Sequence, residues 1–313
     1  MDAFSKYDNT AGFFVGNEVI TTSNGSVAAP FIKAATRDIK AYQATQSYRK
    51  VPIGYSAADI AELRPMLQDY LACGNDSETL DYFALNAYEW CGSDTTYQVS
   101  GYASLTNQIQ DYPIPIFFSE TGCITARPRT FADQSAIFGD EMSPYWSGAI
   151  AYEWIEEANN YGIVSYGPKV DPAGPNAPPD GFTRSGTPTP ISPDFTNLQN
   201  QWKTVSPSSV MMSAYSPSVT GVDCPAFTQS VWVVQPSDAL PTLGQTFEAQ
   251  ASATASAGGS GGSGSGSSGG TSGSATGGAA SASSTPGAAS PAREVAGGAI
   301  GMVGLAAGFL WWL

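Results

Sequence analysis

Phe13-Phe14-Val15-Gly16-Asn17-Glu18 is an apolar run that ends in a polar pair. Aromatic and β-branched side chains without polar alternation suit a strand buried on both faces. A carboxylate directly after such a run marks the point where the strand leaves the core. In a parallel β/α barrel, chemistry is done at that end. Ile114-Pro115-Ile116-Phe117-Phe118-Ser119-Glu120 repeats the design. Two buried strands, each delivering a Glu at its C-terminal end, predict a pair of carboxylates over one sheet.

The stretches between these runs alternate in period. Residues 28–45 read as a helix, with Phe31, Ile32, Ala35, Ile39 and Tyr42 near one face. A strand follows over 51–55, and Ser56 reads as the cap of a helix over 57–71 that Pro65 kinks. Residues 81–87 form a further buried strand running into Tyr88 and Glu89. A helix over 97–112 stops at Pro113, a short one covers 131–138, and 146–154 is the next strand. A hairpin at 163–166, a Pro- and Gly-rich loop over 168–193 and a last helix over 194–205 complete the pattern. Strands alternating with helices imply an α/β class with a parallel sheet.

Composition removes several kinds of function. The net charge is −14 with only 13 Lys plus Arg, so no cationic surface is available for nucleic acid or anionic lipid. There is no His, which excludes Ser-His-Asp triads and His-based zinc sites. Acid/base work then falls to carboxylates, Tyr, Lys or Cys. Cys73, Cys91, Cys123 and Cys224 form no CxxC motif, and their wide spacing suits two disulfides in a secreted protein. The sequons at Asn24 and Asn75 are consistent with secretion. No metal or organic cofactor is expected.

The chemistry that remains is that of paired carboxylates acting on a glycosidic bond, with retention when the two lie about 5–5.5 Å apart. Glu18 would be the acid/base and Glu120 the nucleophile. Asn17 would reach the substrate 2-hydroxyl, and Tyr88, at a third strand end, would hold the Glu120 carboxylate by a hydrogen bond. Tyr152 and Trp154 read as core or rim aromatics, Glu153 as a supporting or ion-paired group, and Arg127 and Arg129 as solvated loop charges.

Beyond residue 250 the composition changes. Residues 251–292 are almost wholly Ser, Gly, Ala and Thr, a disordered and O-glycosylated stalk by composition. Residues 295–313 are apolar and uncharged. Small residues, a polar spacer and an apolar tail match a GPI-attachment signal. Gly278, Ala279, Ser281, Ser283, Ser284 and Gly287 are the attachment candidates, and a single-pass tail anchor is the alternative.

Gly16-Asn17-Glu18, Leu85-Asn86-Ala87-Tyr88-Glu89-Trp90-Cys91, Phe118-Ser119-Glu120-Thr121-Gly122-Cys123 and Trp146-Ser147-Gly148-Ala149-Ile150-Ala151-Tyr152-Glu153 together resemble the fungal β-1,3-glucanosyltransferases of glycoside hydrolase family 72. The resemblance runs from about residue 2 to 225. It implies a (β/α)8 TIM barrel that cuts β-1,3-glucan internally, holds the new end as a glycosyl-enzyme and transfers it to an acceptor chain. By motif position, Glu18 matches the acid/base and Glu120 the nucleophile, while Asn17, Tyr88 and Tyr152 match substrate-site residues. The resemblance also implies disulfides Cys91–Cys123 and Cys73–Cys224.

The implied layout places residues 1–170 as barrel strands 4 to 8, with the first three βα units lacking. A coil-rich annex over 171–250 closes on the barrel, the stalk spans 251–292, and the GPI signal spans 293–313. The expected partners are glucan donor and acceptor chains and a GPI lipid, with no nucleic acid. The expected location is the outer face of the plasma membrane and the cell wall. The alternatives are a β-1,3-glucan hydrolase and a catalytically inactive, truncated wall glycoprotein.

Overall fold

The computed structural model describes residues 1–214 and 221–246. The stalk, the GPI signal and its attachment candidates lie outside the described residues.

Five strands form one parallel sheet: β1 (Phe13–Asn17), β2 (Ile53–Ala58), β3 (Tyr82–Asn86), β4 (Ile116–Thr121) and β5 (Ala149–Ala151), hydrogen-bonded in that order. A helix stands between each consecutive pair: α1 (Ala29–Thr45), α2 (Arg64–Ala72), α3 (Tyr102–Gln108) and α4 (Ala132–Ile137). The class is therefore α/β with parallel neighbours joined by helical crossovers. Among the described residues, neither β1 nor β5 pairs with a further strand of this sheet. Beyond β5 a small antiparallel pair, β6 (Val164–Ser165) with β7 (Thr189–Pro190), leads into α5 (Asp194–Thr204).

Three expected elements are corrected. Ser56 does not cap a helix: β2 continues through it to Ala58, and α2 begins only at Arg64. Pro65 opens that helix instead of kinking it, because the first turn has no intrahelical use for the missing N–H. The 97–112 helix shortens to α3, entered from Gly101 with φ 84. Its left-handed backbone favours glycine. The 146–154 strand shortens to β5, because Trp146 leaves the ladder to stack on Phe118, with ring centroids 4.0 Å apart.

The sheet buries most of the core. Phe118 lies between the rings of Trp146 and Tyr102, the latter at 5.1 Å. Residues 221–246 return to this core: Trp232 is fully buried against Tyr70, ring centroids 5.4 Å apart. Val233 N donates to Ser26 Oγ at 3.1 Å, and Arg37 Nη2 to the Pro241 carbonyl at 2.7 Å. Cys73–Cys224 fastens the same segment to the end of α2.

Side-chain period sets what faces what. Gly54 and Ser56, Tyr82 and Asn86, and Phe117 and Ser119 point to one face, since residues two apart along a strand share a side. Phe14, Tyr82 and Phe117 form an aromatic layer there, ring centroids 5.4–6.2 Å apart. Gly54 makes room for it, because a Cβ at that position would stand 2.1 Å from the Tyr82 ring. One step toward the C-terminal ends, the face turns polar.

Candidate active site

Two slips of the ladder bring Asn17 and Glu120 to this polar layer. Phe14 pairs with Gly54 but Asn17 with Ser56, and Leu85 pairs with Phe118 but Asn86 with Glu120. Each irregularity takes up one extra residue and re-aims the side chains beyond it, as bulges do beside sites. Asn17 thus comes level with Ser56, and Glu120 level with Asn86.

Glu18 follows β1 with φ 50, an uncommon value for a residue with a side chain. The turn is held on both sides: Glu18 N donates to the Ser56 carbonyl at 2.9 Å, and Val19 N to Tyr55 Oη at 2.9 Å. The Asn86 amide is the centre of the layer. Its Nδ2 donates to Glu18 Oε1 at 2.9 Å and to Asn17 Oδ1 at 3.1 Å. Its Oδ1 accepts from Ser119 Oγ at 2.6 Å and Ser56 Oγ at 2.9 Å.

Glu120 sits within β4, and Tyr88 donates its phenolic hydrogen to Glu120 Oε2. Burial pushes the Glu120 carboxyl above the usual range. The Tyr88 hydrogen bond works against that shift, while the like charges of Glu18 and Glu153 add to it. Burial also pushes the Tyr88 phenol up, and the bond to Glu120 pushes it further. Tyr88 therefore stays a donor throughout the physiological range.

Tyr152 lies just past β5, anchored by its N–H to the Thr121 carbonyl at 2.8 Å. Burial and Glu153 push its phenol up to about 12. The rings of Tyr88 and Tyr152 are 6.4 Å apart, and Tyr161 completes the group at 5.4 Å from Tyr88 and 5.2 Å from Tyr152. Edge-to-face tyrosines around a carboxylate make a wall that is apolar in body and polar at the tips. Sequence reasoning misses Tyr161, because a lone aromatic in the polar run Asn159-Asn160-Tyr161 carries no periodic signal. Glu153 accepts from Asn159 Nδ2 at 2.7 Å.

Arg127 is exposed, as a solvated loop charge would be, though ion-paired on one side, whereas Arg129 is not a solvated loop charge. The Arg129 side chain is 2% exposed, and its Nε donates to Asp194 Oδ2 at 2.8 Å. Its Nη atoms donate to the carbonyls of Tyr152 at 3.0 Å, Tyr161 at 2.7 Å and Gly162 at 3.4 Å. Arg127 Nη1 joins the same carboxylate at 2.7 Å. Asp194, the first residue of α5, supplies the charge that makes this burial tolerable. The network fixes the backbone carrying two of the three tyrosines.

Cys91–Cys123 ties the segment after Tyr88 to the segment after Glu120. Each cysteine lies three residues beyond its site residue. Among the described residues, no group of three or more His, Cys, Asp or Glu could hold a metal. The arrangement offers two carboxylates at the C-terminal ends of parallel strands, one backed by an amide and the other by a phenol. That equipment suits protonation of a leaving oxygen and attack on an acetal carbon, without a metal ligand set.

Comparison with known proteins agrees with this chemistry. A family model described as glucanosyltransferase, glycoside hydrolase family 72, matches residues 1–172. The chain is 42% identical over 241 residues to pH-responsive protein 2 of Candida albicans, covering 74% of this chain and 41% of that one. It is 38% identical over 253 residues to the 1,3-beta-glucanosyltransferase gas2 of Schizosaccharomyces pombe, covering 79% and 51%. The structure of Saccharomyces cerevisiae Gas2p in complex with laminaritriose and laminaritetraose is similar with a TM-score of 0.66 at 38% identity, covering 79% of this chain and 52% of that one. The chain thus spans roughly two fifths to one half of the length of these relatives.

Proposed function

Because this chain belongs to glycoside hydrolase family 72, the glucanosyltransferases, we propose that its site performs a retaining transfer of β-1,3-glucan. The observation that carries the reading is the delivery of Glu18 and Glu120 to one end of one sheet, each with its own hydrogen-bonding partner. Glu120 attacks the anomeric carbon while Glu18 gives its proton to the departing glycosidic oxygen, leaving a glycosyl-enzyme ester. An acceptor hydroxyl then gives its proton back to Glu18 and displaces Glu120. Asn17 spends its oxygen on Asn86, which leaves its amide hydrogens to donate to the sugar 2-hydroxyl. Tyr88 steadies the attacking carboxylate, and Tyr152 lines the sugar path.

The same reading takes the five parallel strands as part of a (β/α)8 barrel, whose C-terminal face is the usual seat of an active site. It keeps the site in residues 1–170, with 171–250 as the closing annex. It also keeps a cell-wall location, with residues 251–292 as a stalk and 293–313 as a GPI signal, supported by their composition.

Incubation with reduced laminari-oligosaccharides tests the reaction. Products longer than the donor support transfer, and only shorter products would make the chain a hydrolase. Glu120→Gln should abolish both reactions, since the amide cannot attack; unchanged turnover would remove Glu120 from the nucleophile role.

A further inference from the structure

We propose that Asn86 is a positioning residue that decides which oxygen of Glu18 carries the catalytic proton. The inference rests on the acid/base role of Glu18 argued above, and it adds a function to a residue buried beneath the site.

The first step is the orientation of the amide. Asn86 is buried, 3% exposed, so its partners are those of the polar layer. The Ser119 Oγ to Asn86 contact of 2.6 Å is shorter than N–H···O bonds run, yet ordinary for O–H···O. The serine side of the amide is therefore its oxygen. Two hydroxyls, from Ser56 and Ser119, fill that oxygen's two acceptor positions. The two serines also stand 2.7 Å apart; their two hydrogens serve two of the three contacts at a time, and Asn86 Oδ1 is the atom of the three that can only accept.

The second step follows from the first. With its oxygen turned to the serines, Asn86 must present both amide hydrogens on the other side. They meet Glu18 Oε1 at 2.9 Å and Asn17 Oδ1 at 3.1 Å. In a protonated carboxyl group the carbonyl oxygen is the better acceptor, so an N–H held against one oxygen favours the acidic hydrogen on the other. The acidic hydrogen of Glu18 is therefore favoured on Oε2, the oxygen Asn86 does not hold. With the amide flipped or missing, the proton could sit on either oxygen, including the Oε1 that lies against Asn86. Each half of the unit sits where the ladder slips, since Asn17 pairs with Ser56 and Asn86 with Glu120. The same bulges that build the site thus set the direction of proton delivery.

The test separates acid delivery from general damage by changing the leaving group. Asn86→Ala and Asn86→Asp are compared with the parent on a laminari-oligosaccharide donor and on its dinitrophenyl glycoside, whose leaving group departs without a proton. Acid catalysis contributes about a hundred- to ten-thousand-fold. Both variants should lose roughly ten- to a hundred-fold in kcat/KM on the oligosaccharide, the parameter that reports the step in which the leaving group departs. On the dinitrophenyl donor the loss in kcat/KM should be about tenfold smaller, because only the hold of Asn86 on Asn17 is missing there. Asn86→Asp keeps the side-chain shape and an oxygen for the serines, so it tests the idea even if Asn86→Ala folds poorly. Equal losses on both donors, or none on either, would overturn the proposal. Glu18→Gln run in parallel sorts the failures. If it shows the leaving-group dependence and the Asn86 variants do not, the lock alone is wrong. If it shows none, the acid role of Glu18 falls and the lock falls with it.

Discussion

Removing Asp194 gives the sharpest test of how the tyrosine wall is supported. Asp194→Ala deletes the acceptor of three contacts: Arg127 Nη1 at 2.7 Å, Arg129 Nε at 2.8 Å and Arg129 N at 3.1 Å. The two buried side chains are 2% and 3% exposed. An exposed pair would be worth about 0–1 kcal/mol. Breaking a buried pair from one side costs about 3–5 kcal/mol, because an uncompensated guanidinium stays behind. Against a mid-range total of about 10 kcal/mol, that is roughly a third to a half of the stability of an average domain. With a denaturant slope of about 2–3 kcal/mol per molar urea, the midpoint should fall by about 1–2.5 M. Urea unfolding followed by tryptophan fluorescence measures it. Asp194→Asn keeps an acceptor and should lose less. A loss under about 1 kcal/mol for Asp194→Ala would return Arg129 to the rank of a surface charge and refute the burial argument.

Two further perturbations follow from the same geometry. Tyr88→Phe removes the one contact that lowers the Glu120 carboxyl, while burial and the charges of Glu18 and Glu153 stay. The proposed nucleophile then ionises at higher pH, so the acid limb of the pH–rate profile should move upward; an unmoved acid limb would mean Tyr88 does not act on Glu120. The two disulfides should differ in worth by the loops they close. Separations of 32 residues for Cys91–Cys123 and 151 for Cys73–Cys224 correspond to about 3.7 and 5 kcal/mol of chain entropy. Paired Cys→Ala variants compared by urea unfolding should show that order, and a reversed order would reject the entropic account.

How much of this the sequence carried depends on how local each signal is. β1 and β4 are legible because an uninterrupted apolar run followed by Glu is a local pattern that burial alone explains. Ser56 is misread because Ser before Ala-Ala looks like a helix start, and only the neighbouring strands make it part of the sheet. Asn86 is invisible for a related reason: it reads as the polar end of a strand, and its value comes from Ser119 and Glu18, 33 and 68 residues away. Arg129 depends on Asp194, 65 residues further on. Without that partner in view, a charged loop residue is rightly read as solvated. Tyr161 joins the site only because the Arg129 network holds its backbone. Polar residues at strand ends speak for themselves, whereas buried charges and amides are defined by distant partners.

The charges that act on Glu120 have a consequence for what can enter. Glu18 and Glu153 raise its carboxyl, and Glu157 and Glu156 in turn raise Glu153. All four are of one sign. A neutral polysaccharide is indifferent to that field, so its hold on the site must come from shape, ring stacking and hydrogen bonds such as the one proposed for Asn17. An anionic polysaccharide meets the same carboxylates as a barrier. If Glu18 and Glu120 act as proposed, the groups that govern protons at the site also disfavour anionic polymers, before any sugar ring is recognised.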